Sequence, residues 1–431
     1  MQPTFSIVIP TRNRPETLIH AVRTCLTDPE NDYQVIVFDN ATNPPITREL
    51  LGITDPRMVI HRSEETLPMI NSWETAVSYA TGKYVILVGD DDGLIPSTLS
   101  VLRPLIEKYP GKPIRWARAS YHWPTHPVEI KRDTLKIPLS NEGYILDAKA
   151  VIKAVAEVRI PHFIVPMLYN AAIPQAIIQE IKKRCGRLFL GPSPDVTSGI
   201  AAAYIAGTFV SLETPLSIGG TSGKSNGLVC TTTANLDDLK KKSAVASEYL
   251  KLSDKCGYPY PHPKLPKISL PSVVRADSFL YTKQALFAHD HQLSFNFQQL
   301  VNRCWQEIHE KPEAEHQHLM AQLKKYVEEN PGLTLPQTRM PQPKSTLPSG
   351  MQRPSPRGYD ESERLLCLDT SNFGITDVSA ASQLCEKILA YNNRGFRLQI
   401  KTPQQKLKGS GRRFLADLVR RRELPHFIDC D

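Results

Sequence analysis

Three consecutive carboxylates, Asp90, Asp91 and Asp92, are the residues of this sequence best placed to do chemistry. They come directly after the apolar run KYVILV and Gly89. Ligands of an open parallel sheet bind at the carboxyl ends of its strands, and carboxylates crowded there repel one another unless a cation neutralises them. Hard ions such as Mg²⁺ or Mn²⁺ accept carboxylate and phosphate oxygens together. In an extended tripeptide Asp90 and Asp92 project to the same side and could hold one ion, or one ion and a ribose hydroxyl. An acidic solvated turn is the alternative.

Polar residues also follow two earlier apolar runs. The run FSIVI is followed by Pro10, Thr11, Arg12 and Asn13, and the run QVIVF is followed by Asp39 and Asn40. Because the carboxyl ends of neighbouring parallel strands meet at one edge of a sheet, we expect these groups to converge on one crevice with the three aspartates. Each of these two sets alone is weak evidence for a binding site, since Asp-Asn, for example, is also common in ordinary turns. The set together is fairly specific.

The elements that must position these residues alternate regularly over about the first hundred residues. Short apolar runs rich in β-branched residues are separated by segments with apolar residues at helical spacing, which predicts a parallel sheet covered on both faces. The fold class is therefore α/β, with a doubly wound, mostly parallel sheet. We place this domain at residues 1–235, in two halves, 1–110 and 111–235.

The remainder divides by composition. Residues 236–330 are mainly helical in pattern and form a predicted helical extension. Residues 331–360 are rich in Pro, Gln, Ser and Arg and poor in apolar residues, which predicts a flexible linker. Residues 361–431 form a small α/β segment that ends in a basic tail.

Composition excludes several classes of protein. The chain has 431 residues, 41% hydrophobic and 22% charged, which is typical of a globular protein with a sizeable core. It contains no apolar run long enough for a transmembrane helix, and its first residues do not form a signal peptide. The 8 cysteines include no CxxC pair, so we expect a reducing, cytoplasmic setting and neither a zinc site nor a disulfide scaffold. The net charge of +8 favours anionic partners.

The segments FSIVIPTRNRPETL, VIVFDNA and NSWETAVSYATGKYVILVGDDDG resemble, in order and spacing, the nucleotide-binding half of the family 2 glycosyltransferases with the GT-A fold. The resemblance covers roughly the first 100 residues. It implies a nucleotide-diphosphate sugar donor, most simply a UDP- or GDP-sugar, a divalent metal and inversion at the anomeric carbon. It also implies a glycan or lipid-linked acceptor, a role in a surface polysaccharide such as capsule, lipopolysaccharide or exopolysaccharide, and no nucleic-acid partner.

The resemblance also assigns residue roles. It places Thr11 and Arg12 along the nucleoside, Asp39 at the base, Asp90 at the ribose or the metal, and Asp92 at the metal with the diphosphate. Pro10, Asn13 and Asp91 are further nucleotide-sugar contacts. An inverting transfer needs a general base for the acceptor hydroxyl, and the family places an acidic residue near a helix start in the second half. The matching residue is Asp195 in LFLGPSPDVTSGIAAAY. A helix N-cap is the alternative role for it.

Two further residues are candidates for donor contacts. The segment GGTSGKSNG ends in GKS like a phosphate-binding loop, but Ile218 stands where that motif requires glycine. We interpret it as a mobile loop that closes over the donor with Lys224 facing the diphosphate; a plain surface loop explains it equally well. Asn71 either caps its helix or faces the donor, and Trp73 packs. Lone histidines such as His162 are more often structural than metal ligands.

The basic stretch at residues 406–422 suits an anionic membrane surface, or equally a helix packed on its own domain. The expected location is cytoplasmic, with peripheral contact to the inner membrane face as one alternative. Two other functions are alternatives to glycosyl transfer. A sugar-phosphate nucleotidylyltransferase would need a Gly-rich loop after the first strand, where this chain has PTRNRPE. A non-catalytic nucleotide-sugar sensor or scaffold would not need the triple aspartate and a base.

Overall fold

The computed structural model describes residues 2–225, 256–309, 311, 313–336, 357–392 and 399–400. Residues 236–255 of the predicted helical extension, most of the predicted linker and the basic stretch at residues 406–422 lie outside the described residues. Helices within the described ranges are all too short or too polar to cross a membrane.

The first four strands form the parallel sheet that the sequence predicts. They are β1 (Phe5–Thr11), β2 (Tyr33–Asn40), β3 (Met58–Ser63) and β4 (Tyr84–Leu87), and they lie side by side in the order β3-β2-β1-β4. The connections contain α1 (Pro15–Cys25), α2 (Arg48–Leu51) and α3 (Met69–Ser78). All strand pairs here are parallel, and the apolar runs of β1, β2 and β4 are buried on both faces.

The second half of the sheet is mixed rather than parallel. After β5 (Gly93–Leu94) and α4 (Thr98–Lys108) come β6 (Ile114–His122), β7 (Thr134–Pro138), β8 (Glu142–Asp147), α5 (Ala148–Ala156), β9 (Ala171–Pro174), α6 (Gln175–Cys185), α7 (Pro194–Ala206) and β10 (Thr208–Thr221). Strand β9 is antiparallel to both β4 and β6, and β10 runs parallel to β6. The apolar sequence RLFL at residues 187–190 predicts a short strand, and this prediction is wrong. The backbone N–H groups of Leu188 and Phe189 instead donate to the Glu74 carboxylate at 2.9 and 3.1 Å.

Within the described part of residues 256–336 lie the helices α8 (Pro271–Leu286), α9 (Phe297–His309) and α10 (Glu313–Glu328). Helix α8 packs on α7, and apolar residues of both helices, including Val196 and Phe279, share one core cluster. A second cluster joins α8 to α9 and α10. The predicted helical extension therefore supports the helix that carries Asp195.

Asp277 on α8 is a buried carboxyl whose titration can be measured. It is fully buried and accepts a hydrogen bond from the His262 N–H at 2.7 Å, and burial raises its pKa to about 8. The folded protein therefore keeps the proton at a pH where the unfolded chain has lost it, so the free energy of unfolding should fall as pH rises from about 4 to 8. In the unmodified protein, Asp277 should contribute up to several kcal/mol to the fall in the free energy of unfolding over this pH range, and in Asp277→Asn this contribution should be absent. Chemical denaturation across the same range measures the difference. Equal slopes for both proteins would contradict the assignment.

The C-terminal residues extend the same sheet. Strand β11 (Gly358–Asp360) pairs with β12 (Leu365–Asp369), β12 pairs antiparallel with β7, and β13 (Gln399–Ile400) pairs with β8. Helix α11 (Val378–Asn392) packs beside α1 and β5. The Ser382 hydroxyl donates to the Leu94 carbonyl at 2.6 Å, so α11 contacts the chain directly after the triple aspartate.

Candidate active site

The carboxyl ends of β1, β2 and β4 form one edge of the sheet, and the strand register brings their polar residues together. Thr11 is the partner of Asp39 across β1 and β2. The Thr11 hydroxyl donates to Oδ2 of Asp90 at 2.8 Å, and all three side chains are buried. Three strand ends thus contribute to one polar cluster.

The rest of the first strand end is less buried. Pro10 is the penultimate residue of β1, Arg12 is partly exposed, and Asn13 is exposed. Asn13 has a left-handed backbone (φ 57°), which asparagine tolerates better than most residues. Its N–H donates to Oγ1 of Thr42 at 3.0 Å, which joins the β1 end to the loop after β2.

Arg14, which sequence analysis does not single out, is the charged partner of Asp90. Its Nη1 lies 3.0 Å from Oδ1 of Asp90, and its Nη2 donates to the carbonyl of Lys224. Arg14 immediately precedes Pro15, the first residue of α1, so the strand-to-helix turn holds it at the sheet edge. A basic residue in front of a proline-initiated helix is the signal that would have identified it.

The Asp39 carboxylate organises the loop that follows β2. Oδ1 accepts from the Thr42 N–H at 2.8 Å, and Oδ2 accepts from the Ile46 N–H at 3.2 Å and from Nη1 of Arg62. The side chain is fully buried. A nucleotide base that bonds to Asp39 must therefore use a carboxylate that also accepts hydrogen bonds from the loop after β2.

Asp91 is turned toward the end of β10. Its Oδ2 accepts from the Ser222 N–H at 3.2 Å and from the Ser222 hydroxyl at 2.8 Å. Its main-chain carbonyl accepts from Nε1 of Trp123 at 3.0 Å. Burial, together with the negative charges of Asp92 and Asp90, raises the pKa of Asp91 to about 7. In this structure Asp91 ties the aspartate turn to β10.

Asp92 is held by backbone donors on both sides. Its Oδ1 accepts from the Gly220 N–H at 2.7 Å and its Oδ2 from the Gly89 N–H at 3.2 Å. Burial raises its pKa, and the Arg118 guanidinium and these N–H groups offset part of that rise. Each carboxylate oxygen keeps a lone pair for a further ligand, so Asp92 is oriented without being saturated.

Gly220 makes this arrangement sterically possible. A Cβ at this position would lie 1.7 Å from the carbonyl oxygen of Asp91 and 2.9 Å from Nε1 of Trp123. Only glycine lets β10 approach the aspartate turn closely enough for its N–H to reach Asp92. The segment that we interpreted as a loop after Ile218 is in fact β10 continued through Thr221, paired with β6.

Lys224 lies beyond that strand, beside α1. The Gly223 N–H donates to Oγ1 of Thr125 at 3.2 Å, and the exposed Lys224 ammonium bonds to Glu16.

Asn71 lies in the first turn of α3, where Pro68 takes the N-cap position. Its Oδ1 accepts from Nη2 of Arg187 at 2.9 Å.

Asp195 is the second residue of α7, after Pro194, so it lies in the first helical turn and Ser193 takes the cap position. Burial raises the pKa of Asp195, and the neighbouring N–H groups and the Arg118 guanidinium moderate the rise. The side chain is partly exposed. A carboxylate with a raised pKa that still reaches solvent is suited to accept a proton.

Tyr169 lies beside the aspartate turn, because a Cβ on Gly89 would be 3.5 Å from Cε1 of its ring, and the turn at residues 168–170 contacts α7, the helix of Asp195. Burial raises its pKa well above the usual value, and the negative charges of Asp92, Asp195, Asp90 and Asp91 raise it further. Its ring packs edge-on against Trp73, with centroids 5.0 Å apart, and Trp73 is buried as predicted. The fold therefore brings Asp195, from the second half, to the triple aspartate. No local pattern in the sequence marks Tyr169.

Arg118 on β6 is an exposed cation in the same place. Its charge acts on both Asp92 and Asp195. The guanidinium lies over Gly219, where a Cβ would be 3.2 Å from Cζ. The sequence predicts that residues 114–123 form a strand, but the strand pattern does not mark Arg118 as a functional residue.

The described residues contain no group of three or more His, Cys, Asp or Glu side chains that converges as a metal cage. Magnesium is commonly held by one or two carboxylates, with phosphate and water oxygens completing its shell. Asp92, with its free lone pairs beside Asp90, fits a site of that open kind, in which the ligand supplies most of the oxygens.

Comparisons with known proteins agree with the sequence pattern at the N-terminus. Residues 6–128 match the family model described as "Glycosyl transferase family 2". WcaA of Escherichia coli (strain K12), named as a colanic acid biosynthesis glycosyl transferase, is 26% identical over 101 residues, which is 23% of this chain and 36% of that protein. The chain thus matches about a third of the length of this relative.

Structures of Staphylococcus aureus TarS are among the solved structures that match this chain. Its residues 1–349, crystallised with UDP-GlcNAc, match at 12% identity and a TM-score of 0.40, over 75% of this chain and 89% of that one. A longer TarS structure matches at 13% identity and a TM-score of 0.37, over 75% of this chain and 54% of that one.

Proposed function

We propose that this chain, whose residues 6–128 form a glycosyl transferase family 2 domain, transfers a sugar from a nucleotide-diphosphate sugar to a hydroxyl of a glycan or lipid-linked acceptor. The observation that carries the proposal is the position of Tyr169. A Cβ on Gly89, next to the triple aspartate, would lie 3.5 Å from Cε1 of its ring, and the turn that holds Tyr169 contacts α7, which carries Asp195. The triple aspartate from the first half of the fold suits the binding of a charged leaving group through a cation. Asp195, from the second half, suits the removal of a proton from the acceptor.

The donor is proposed to lie across the ends of β1, β2 and β4. Thr11, Arg12 and the backbone of Pro10 and Asn13 would flank the nucleoside, and Asp39 would face the base. Asp90 is already oriented by Thr11 and Arg14, so it can present a lone pair to a ribose hydroxyl without a change of rotamer. UDP- and GDP-sugars are the donors to test first.

Asp92, with Asp90, would hold Mg²⁺ or Mn²⁺. When bound, such an ion acts as a Lewis acid that stabilises the charge of the departing diphosphate. The chain's own contribution is to fix the Asp92 carboxylate through the N–H groups of Gly220 and Gly89. Lys224 would join the diphosphate only if it left Glu16.

Asp195 is proposed as the general base. Its carboxylate would accept the proton of the acceptor hydroxyl as the oxygen attacks the anomeric carbon from the face opposite the leaving group, which inverts the configuration. Arg118 favours the ionised form of Asp195, while burial keeps the pKa high enough for effective proton transfer. Tyr169 and Trp73 form an aromatic wall beside the reacting atoms.

A role in surface-polysaccharide assembly fits the name of the relative WcaA, and an acceptor at a cytoplasmic membrane face would fit the basic stretch at residues 406–422. Transfer of a sugar is favoured over transfer of a nucleotide because β1 ends in PTRNRPE. That turn has no glycine-rich cradle for a triphosphate.

Calorimetric titration of UDP and of GDP, each with Mn²⁺ and with EDTA, tests the donor and metal assignments together. We expect one nucleotide to bind more tightly with Mn²⁺, and Asp92→Asn to weaken that binding by about tenfold or more, as expected for the loss of a charged contact. Asp55→Asn is the matched control, because Asp55 precedes β3 at the opposite edge of the sheet. Equal nucleotide affinity with Mn²⁺ and with EDTA would contradict the assignment of a metal ion to Asp92. Turnover with candidate donors then distinguishes an enzyme from a non-catalytic sensor.

A further inference from the structure

Strand β5 continues the chain directly after the aspartate turn (residues 90–92), and three elements hold it in place. Its residues Gly93 and Leu94 follow Asp92 and pair with β10. The Leu94 N–H donates to Oγ1 of Thr24 on α1 at 3.0 Å. The Leu94 carbonyl accepts from the hydroxyl of Ser382 on α11 at 2.6 Å. A strand of two residues is shorter than most strands and has few ladder hydrogen bonds of its own, so its position depends on α1 and α11.

Helix α11 also contacts the residues on either side of Leu94. The N–H and the hydroxyl of Ser97 both donate to Oε2 of Glu386, at 3.0 and 2.7 Å. Ile95 and Val378 are buried in the same apolar cluster. A Cβ on Gly93 would lie 3.1 Å from Cγ2 of Val378, so the absence of a side chain at this position lets α11 approach β5 closely. The helix therefore fixes residues 93–97 by both polar and apolar contacts.

The start of α11 contacts the aspartate turn indirectly, through His20 and Trp123. Nδ1 of His20 lies 3.2 Å from Oδ1 of Asp377, and the same oxygen accepts from the Ala380 N–H at 2.9 Å. The His20 ring packs edge-on against Trp123, with centroids 6.0 Å apart. Nε1 of Trp123 donates to the main-chain carbonyl of Asp91 at 3.0 Å. Contacts from α11 thus lead to the aspartate turn both through β5 and through Trp123.

We propose that α11 positions the aspartate turn for the divalent cation and the donor diphosphate, with Ser382 as the principal positioning residue. The inference rests on the proposed glycosyl transfer, since it names what fixes the carboxylate proposed to bind the metal. Ser382 acts through Leu94, two residues after Asp92. Misplacement of a reacting group by about 1 Å can lower turnover by about 10², so the loss of one anchor of this short strand should be measurable. Helix α11 lies outside residues 6–128, so this support comes from a segment that the family match does not include.

The test compares Ser382→Ala with Ser379→Ala in the full chain. Each variant removes one hydroxyl from α11, but the hydrogen bonds from this helix to residues 93–97 are made by Ser382 and Glu386. Calorimetry with UDP and with GDP gives the ratio of the dissociation constants in EDTA and in Mn²⁺. We expect Ser382→Ala to lower this ratio about 3- to 10-fold, as expected for the loss of one hydrogen bond, and Ser379→Ala to leave it unchanged. A loss of stability alone does not change the ratio at a temperature where both variants are folded.

Hydrogen exchange of residues 89–97, measured without nucleotide, is the second readout. In Ser382→Ala the amides of Leu94 and Ile95 should exchange several-fold faster than in Ser379→Ala, because opening of β5 no longer breaks the bond to α11. Equal exchange and an equal effect of Mn²⁺ in the two variants would overturn the proposal. Faster exchange with an unchanged effect of Mn²⁺ would also overturn it, since α11 would then only stabilise the fold.

Two further outcomes separate this proposal from the function on which it rests. If Ser382→Ala does not fold, Glu386→Gln replaces it, because Glu386 binds Ser97 on the same segment. An unmodified protein that binds neither UDP nor GDP would count against the proposed function. The exchange comparison by itself then decides whether α11 holds the aspartate turn in place.

Discussion

Asp195→Asn should lower kcat by about 10²–10⁴-fold, the usual contribution of a general base, while nucleotide binding stays unchanged. Asparagine keeps the shape of the side chain and cannot accept the acceptor proton. The measurement is steady-state turnover with the donor identified by calorimetry, together with the dissociation constant of the nucleotide. A proportional loss in both quantities would mean that the substitution disturbs the site as a whole.

Asp147→Asn separates catalysis from helix stabilisation. Asp147 is the N-cap of α5 and accepts from the Ala150 N–H at 2.7 Å, so it is an aspartate whose role at a helix start is structural. If Asp195 acts only on its helix, both variants should change stability slightly and leave kcat intact. A selective loss of kcat in Asp195→Asn identifies the base.

The pH profile provides a second readout for Asp195. The base must be ionised, so kcat/KM should fall as pH drops through its pKa. Because burial raises that pKa, the fall should begin at a higher pH than an exposed aspartate would give. In Arg118→Gln the favourable positive charge is lost, and the fall should move to a still higher pH.

Gly220→Ala is expected to have the second large effect, on both stability and activity. The new Cβ would lie 1.7 Å from the carbonyl oxygen of Asp91, and a backbone atom cannot swing away as a side chain can. The strand must withdraw, at a cost of about 1–3 kcal/mol for overpacking. The hydrogen bond from the Gly220 N–H to Asp92 would be lost with it, and misplacement of a reacting group by about 1 Å can lower turnover by about 10².

Gly219→Ala is the matched control for stability. It changes the adjacent residue of the same strand. The three atoms nearest to its Cβ would belong to the guanidinium of Arg118, at 3.2–3.4 Å, and this side-chain group can move away. We expect thermal unfolding of Gly219→Ala to match the unmodified protein and that of Gly220→Ala to shift down by several degrees. Equal melting temperatures for the two variants would contradict the close approach described for β10.

Local sequence patterns were sufficient for the N-terminal half of the fold. Apolar β-branched runs must be buried on both faces, and the segments between them carry helical periodicity, so β1, α1, β2, α3 and β4 are predicted with small errors at their ends. Asp90, Asp91 and Asp92 are visible for the same reason, since chain order alone places them at a strand end. Asp195 was found only through the family resemblance.

Tertiary structure decided which of these residues meet, and which unmarked residues join them. Arg14, Arg118, Tyr169 and Gly220 come from four separate segments, and nothing in the local sequence distinguishes Arg118 and Tyr169 from surface or core positions. Their role depends on strand pairing across long sequence separations, above all the approach of β10 to the aspartate turn. Periodicity along a chain reports which face of an element is buried, but it carries no information on which distant element covers that face. The sequence thus determined the sheet and its acidic edge, and only the packing of β6, α7 and β10 determined the site.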